Sequence, residues 1–84
     1  MIKGAQMKKA YQELKLGMTM AEVVALFGRP DSEGVRDGVV TLGWETQEFK
    51  GVLRGGRVTR SVEVELKDDK VIAFNGHNIN ISVV

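Results

Sequence analysis

The chain has no cysteine, no excess of charge of one sign and no long hydrophobic run. Without cysteine there is no disulfide framework, no zinc–thiolate cluster and no thiol nucleophile, so the hydrophobic core must stabilise the fold. A net charge of +1 is too small for an overall field that would attract nucleic acid or an anionic membrane. No stretch approaches the ~20 apolar residues that span a bilayer. We expect a cytoplasmic protein, or an extracytoplasmic one if the domain comes from a longer secreted precursor.

The length of 84 residues predicts a single domain over residues 1–84, with residues 1–6 as a loose lead-in. A chain of this size buries only roughly 60 to 65% of the surface that its unfolded form exposes. We therefore expect no large catalytic cleft.

The first half of the sequence has helical periodicity in two short segments. Apolar residues recur at intervals of three and four in residues 7–15 and again in residues 19–27, which predicts two amphipathic helices. Gly17 lies between them and favours a tight corner, because glycine accepts the backbone conformations that end a helix.

Capping residues define the second predicted helix. Thr19 begins it, and Glu22 three residues later predicts a capping box, in which each side chain accepts a hydrogen bond from a backbone N–H of the first turn. Gly28 and Pro30 end it, since glycine forms the left-handed cap and proline cannot continue the helix. These four residues are therefore assigned structural roles.

The second half of the sequence has the pattern of strands. Residues 39–49, 58–67 and 70–76 are alternating or continuously apolar and predict three strands. Residues 78–83 alternate once more and leave a fourth strand open. The order ααβββ predicts an α+β fold in which two N-terminal helices pack on one face of a three-stranded, or four-stranded, antiparallel sheet.

Residues 14–31, LKLGMTMAEVVALFGRPD, resemble the helix-turn-helix signature of the SmpA/OmlA (BamE-like) family and of the related β-lactamase inhibitor protein repeats. The segments VVTLGWETQEF and VEVELKDDKVIAF fall where that family has its sheet, so the resemblance covers roughly residues 7–75. It implies a two-helix, three-strand domain that acts by protein–protein contact, as an envelope-assembly lipoprotein or as a protein inhibitor.

Residues 50–60, KGVLRGGRVTR, carry four cations and three glycines but no acid. The glycines fit neither a phosphate-binding loop nor a dinucleotide fingerprint. The segment instead predicts a hairpin whose turn contains Gly55 and Gly56, which accept positive φ angles. Such a turn would present Arg54 and Arg57 to a carboxylate or phosphate of a partner. The predicted contact residues are Phe49, Lys50, Arg54, Gly55, Gly56, Arg57 and Arg60.

Two aromatic residues and the single histidine complete the candidate set. Trp44 is in phase with Val40 and Leu42 and is assigned to the core. Phe49 is out of phase with Trp44, so either a bulge intervenes or Phe49 emerges on the opposite face, where it would suit a partner surface. His77 has no second ligand or catalytic partner in the sequence and is predicted to lie on the surface or at a sheet end.

Candidate catalytic residues are few. Glu63 and Glu65 share one face of a strand and are assigned to its solvated side. Ser61 and Ser82 lack the GxSxG pattern of a serine nucleophile. These residues do not assemble a nucleophile, a base and an orienting group, so we expect no enzyme, no metal site and no cofactor.

Two functional hypotheses follow. The first is a small non-enzymatic protein-interaction module of the SmpA/OmlA-like kind, an inhibitor or assembly factor with an unidentified, acidic protein partner. The alternative is a small nucleic-acid-binding domain that uses the cations Lys50, Arg54, Arg57 and Arg60. Acidic residues on the same strands would repel phosphates and favour the first hypothesis. They are Glu45, Glu48, Glu63 and Glu65.

Overall fold

In a computed structural model, the chain is described at residues 4–50 and 56–78, and its side chains at residues 6–47 and 59–78. It folds as two helices followed by a four-stranded antiparallel sheet, which confirms the predicted α+β fold. The helices are α1 (Gly4–Glu13) and α2 (Met20–Phe27), and the strands are β1 (Ser32–Arg36), β2 (Val39–Lys50), β3 (Gly56–Lys67) and β4 (Lys70–His77).

Strand β1 is an element that the sequence analysis does not predict. All five of its residues are exposed, so it has no apolar alternation. It forms because Asp37 and Gly38, with φ angles of 53° and 79°, make the two-residue turn that joins antiparallel strands. This turn brings Arg36 opposite Val39. The fourth strand of the described sheet is thus β1, and residues 79–83 of the alternative lie outside the described part of the chain.

Helix α1 begins earlier than expected. It starts at Gly4, inside the segment 1–6 that was expected to be loose, and residues 1–3 are outside the description. Helix α2 begins and ends within one residue of its predicted bounds.

The sheet is a meander with the strand order β1-β2-β3-β4. β2 and β3 pair without interruption from Val39 opposite Lys67 to Lys50 opposite Gly56. The β3–β4 pairing contains one register shift. Each strand therefore lies beside its neighbour in sequence.

Both helices pack on one face of the sheet, and the core lies between the two layers. The Tyr11 ring of α1 meets the Phe74 ring of β4 edge-on at a centroid distance of 5.7 Å. The ring centroids of Phe27, at the end of α2, and Trp44 of β2 are 4.9 Å apart. The buried apolar side chains are Met7, Ala10, Leu14, Val23, Phe27, Leu42, Trp44, Val62, Val64, Leu66 and Val71.

The predicted capping box of α2 is present. Glu22 N–H donates to Thr19 Oγ1 at 3.2 Å, and Thr19 N–H donates to Glu22 Oε1 at 3.0 Å. The backbone and side-chain hydrogen bonds from Thr19 hold the pKa of the Glu22 carboxyl below its usual value. At the other end, Gly28 ends the helix and its N–H donates to Val24 C=O at 2.7 Å. Its φ of 82° is positive as predicted, but its ψ of −165° lies outside the left-handed helical region, so the predicted left-handed cap is wrong.

The corner between the helices is fixed by strand β4. Gly17, with a φ of 87°, donates its N–H to Val71 C=O at 2.9 Å, and Val71 N–H donates to Met18 C=O at 2.8 Å. Asp69 Oδ1 accepts from Met20 N–H at 3.2 Å and caps a second N–H of the first turn of α2. The corner therefore covers the backbone of Val71 at the edge of the sheet.

Candidate functional site

The two longest strands, β2 and β3, extend beyond both of their neighbours. β1 pairs with β2 only as far as Gly43, and β4 pairs with β3 only as far as Ser61. We call the extension, residues 44–50 and 56–60, the ribbon. Its strand in β2 carries the chain about 23 Å past Gly43, at roughly 3.3 Å per residue, in a molecule whose longest extent is 47 Å.

A side chain covers each edge of the ribbon where the flanking strand ends. Asp31 Oδ2 accepts a hydrogen bond from Glu45 N–H at 2.8 Å, and Asp31 N–H donates to Gly43 C=O at 2.8 Å. On the other edge, Asn78 Nδ2 donates to Thr59 C=O at 2.9 Å. These two side chains satisfy backbone groups that β1 and β4 do not reach, and they mark the base of the ribbon.

Phe49 lies in the β2 strand of the ribbon. Phe49 lies opposite Arg57 in a pairing that continues without a bulge from Trp44 onward. The bulge alternative for Phe49 is therefore wrong. The side chains of residues 48–50 and 56–58 are outside the description.

Three of the remaining predicted contact residues, Lys50, Gly56 and Arg57, lie at the far end of the ribbon. Lys50 and Gly56 form the last described pair. Arg54 and Gly55 belong to residues 51–55, outside the described part of the chain. The predicted contact made by these residues thus stays a prediction.

Arg60 is buried, which is contrary to its predicted place in the contact surface. Its side chain is 5% exposed, and Thr46, which lies opposite, is 7% exposed. Side chains alternate along a strand, so Arg60 shares the helix-facing side of β3 with Val62, two residues away. A buried guanidinium cannot meet a partner at the surface. We therefore remove Arg60 from the contact residues and from the nucleic-acid alternative.

Trp44 belongs to the core, as predicted. It is 1% exposed, and its Nε1–H donates to Gly28 C=O at 3.0 Å. The indole thereby joins the end of α2 to β2 at the base of the ribbon.

On the opposite face of the sheet, three polar side chains from three strands share one row. Glu45 lies opposite Ser61, and Ser61 lies opposite His77. No hydrogen bond joins these three side chains, and Glu45 Oε1 accepts one from Gln47 Nε2 at 3.4 Å. His77 is exposed at the end of β4, as predicted. This row could not be predicted from the sequence. The alternation of apolar residues within β2 and β3 does not show which residues of the two strands pair across residues 51–55.

A shallow groove of about 520 Å³ lies on this outer face beside the base of the ribbon. The carboxylates of Asp31, Glu45 and Glu63 line it, together with the hydroxyls of Ser32 and Ser61. The groove is therefore acidic and rich in hydrogen-bond acceptors, which suits a cationic group.

Among the described residues, no three or more His, Cys, Asp or Glu side chains are grouped so that they could hold a metal ion. Neither of the two described helices has the length and apolar character needed to cross a membrane. No protein family, curated protein or solved structure matches the chain.

Proposed function

We propose that this chain is a small non-enzymatic protein-interaction module that binds an acidic protein surface through the far end of the ribbon. The observation that carries the proposal is the segregation of charge along β2 and β3. Residues 49–60 contain cations and no acid, and the β2–β3 pairing carries Lys50 and Gly56, at the two ends of the described strands, past the acidic groove.

A projecting ribbon suits contact with a partner, because its far end, from Phe49 and Arg57 onward, lies beyond Glu45 and Glu48, the carboxylates of β2. Guanidinium groups bind carboxylates in a bidentate geometry that supplies specificity as well as binding energy. The resemblance of residues 14–31 to the SmpA/OmlA family and the β-lactamase inhibitor repeats supports an inhibitor or an assembly factor over other kinds of module.

The burial of Arg60 weakens the nucleic-acid alternative. It leaves three of the four cations on which that alternative depends. Glu45 and Glu63 flank the base of the ribbon, where a nucleic-acid strand following the ribbon would meet repulsion.

The test is the double substitution Arg54→Ala with Arg57→Ala. The immobilised chain is used to capture protein from an extract of the native host at low and high salt, and the bound protein is quantified by mass spectrometry. We expect the double variant to lose most of the captured acidic partner and to flatten the salt dependence of capture. Its melting curve should stay almost unchanged, because both arginines belong to the predicted turn and exposed charges contribute little to stability.

Arg60→Ala is the matched control on the same strand. Because the Arg60 side chain is buried, we expect this change to lower the free energy of unfolding by roughly 1 to 3 kcal/mol. Unfolding of the domain by the double substitution would make Arg54 and Arg57 structural and contradict the proposal. Salt-dependent binding to a mixed-sequence single-stranded oligonucleotide that disappears in the double variant would favour the nucleic-acid alternative.

A further inference from the structure

The outer face of the sheet carries an acidic area that no described helix covers. α1 and α2 pack on the opposite face. Glu45, Glu63 and Glu65 are exposed on the outer face of β2 and β3, which agrees with the predicted solvated side of β3. Asp31 adds a fourth carboxylate at the base of the ribbon through its hydrogen bond with Glu45 N–H. The face is therefore complementary to a cationic partner.

The groove on this face fits a guanidinium group. Carboxylates of Asp31, Glu45 and Glu63 line its sides, and Gly43 contributes backbone without a side chain to its lining. A carboxylate has several lone-pair sites, so Asp31 can accept from a guanidinium while it keeps its bond to Glu45 N–H. His77 of β4 is separated from Glu45 of β2 by Ser61 of β3.

Three lysines of the same chain lie away from the groove. Lys50 is five residues beyond Glu45 on one extended strand, roughly 17 Å away. Lys67 and Lys70 flank the β3–β4 turn at the opposite end of the strands. The ribbon of a second copy has no such restriction, and its far end can approach the groove from outside.

We propose that the acidic outer face is the binding site for the cationic ribbon end of a second copy of this chain. This inference rests on the proposed function, and it identifies the acidic partner as the chain itself. The two contacting surfaces are different parts of the molecule, so the interface is heterologous and the association is head-to-tail. Copies joined in this way form a chain or a closed ring, according to the rotation between neighbours.

The experiment uses the purified chain and two charge-neutralised variants. The ribbon-end variant carries Arg54→Ala and Arg57→Ala, and the outer-face variant carries Glu45→Gln and Glu63→Gln. Association is followed by sedimentation velocity up to about 1 mM, at low and high salt. We expect the parent to associate reversibly at low salt and less at high salt, and each variant to associate roughly tenfold more weakly or not at all.

Mixing the variants tests the heterologous geometry. The ribbon-end variant keeps its acidic face and the outer-face variant keeps its cationic ribbon end, so an equimolar mixture retains one functional contact. We expect a 1:1 complex that grows no further. Glu33→Gln is the matched control, since Glu33 is an exposed carboxylate that lies opposite Leu42, away from the outer face, and this variant should associate like the parent.

Several outcomes would overturn the inference. A parent that is monomeric throughout, or variants that associate as the parent does, would show that the face does not bind the ribbon end. If Glu33→Gln weakened self-association as much as the outer-face variant does, the effect would come from the overall charge of the chain and not from the outer face. Loss of capture of another protein by the ribbon-end variant, with a monomeric parent, would support the proposed function while refuting self-recognition. Association of the parent that the ribbon-end variant leaves intact would count against both.

Discussion

Replacing Trp44 with phenylalanine tests whether the indole joins the helical layer to the sheet. The side chain is 1% exposed, lies 4.9 Å from Phe27 and donates to Gly28 C=O at 3.0 Å. Truncating a buried tryptophan to alanine costs roughly 3 to 5 kcal/mol, and phenylalanine retains part of that packing. The lost hydrogen bond contributes about 1 kcal/mol. We therefore expect Trp44→Phe to lower the free energy of unfolding by about 2 to 3 kcal/mol.

The measurement is urea denaturation followed by far-ultraviolet circular dichroism, because the substitution removes the tryptophan fluorophore. In a domain of this size each 1 kcal/mol shifts the melting temperature by roughly 4 to 8 °C, so a thermal melt gives an independent value. The rate of hydrogen exchange should also increase at the backbone amides of Asp31 and Glu45. Their hydrogen bonds involve Asp31, which lies three residues after the Gly28 carbonyl that the indole holds. A variant as stable as the parent to within about 0.5 kcal/mol, with unchanged exchange at these amides, would refute the reasoning.

Two further predictions concern the capping box of α2. Thr19→Ala should cost about 1 kcal/mol in urea denaturation, whereas Thr19→Ser should retain most of the stability, and equal melting of all three proteins would contradict a role for the hydroxyl. The lowered pKa of Glu22 means that its contribution is fully present above the unfolded-state pKa and is lost as pH falls through the folded-state value. The stability difference between the parent and Glu22→Gln should therefore shrink on acidification, and a difference that stays constant would show that the ionised carboxylate is not involved.

Local signals explain why α2 and the three longer strands could be predicted from the sequence. The bounds of α2 depend on Thr19, Glu22 and Gly28, whose contacts lie within a few residues of each other. The strands β2 and β3 bury one face, so their apolar side chains alternate, and β4 has a continuous apolar run from Val71 to Phe74. A strand that buries one face can thus be recognised from its sequence pattern alone, without knowledge of the fold.

Strand β1 and the base of the ribbon were missed for different reasons: the Asp37-Gly38 turn signals β1 only locally, whereas the base of the ribbon depends on long-range pairing. β1 is exposed on both faces, which leaves no alternation. The caps made by Asp31 and Asn78 depend on where the flanking strands end, and neither side chain has a local signature. The burial of Arg60 had a signal, its even spacing from Val62, but its charge favoured a surface assignment.

The uninterrupted pairing of β2 and β3 beyond Asp31 and Asn78 makes the reach of this hairpin separable from the stability of the domain. Adding one residue to each strand past the caps would extend the hairpin by roughly 3.3 Å and present its end residues on the opposite face. Adding two to each strand would restore the original face. The number of residues added to each strand thus sets how far the hairpin reaches, and whether that number is odd or even sets which face its end residues occupy. Both could change the partner that the hairpin contacts without a change in the core.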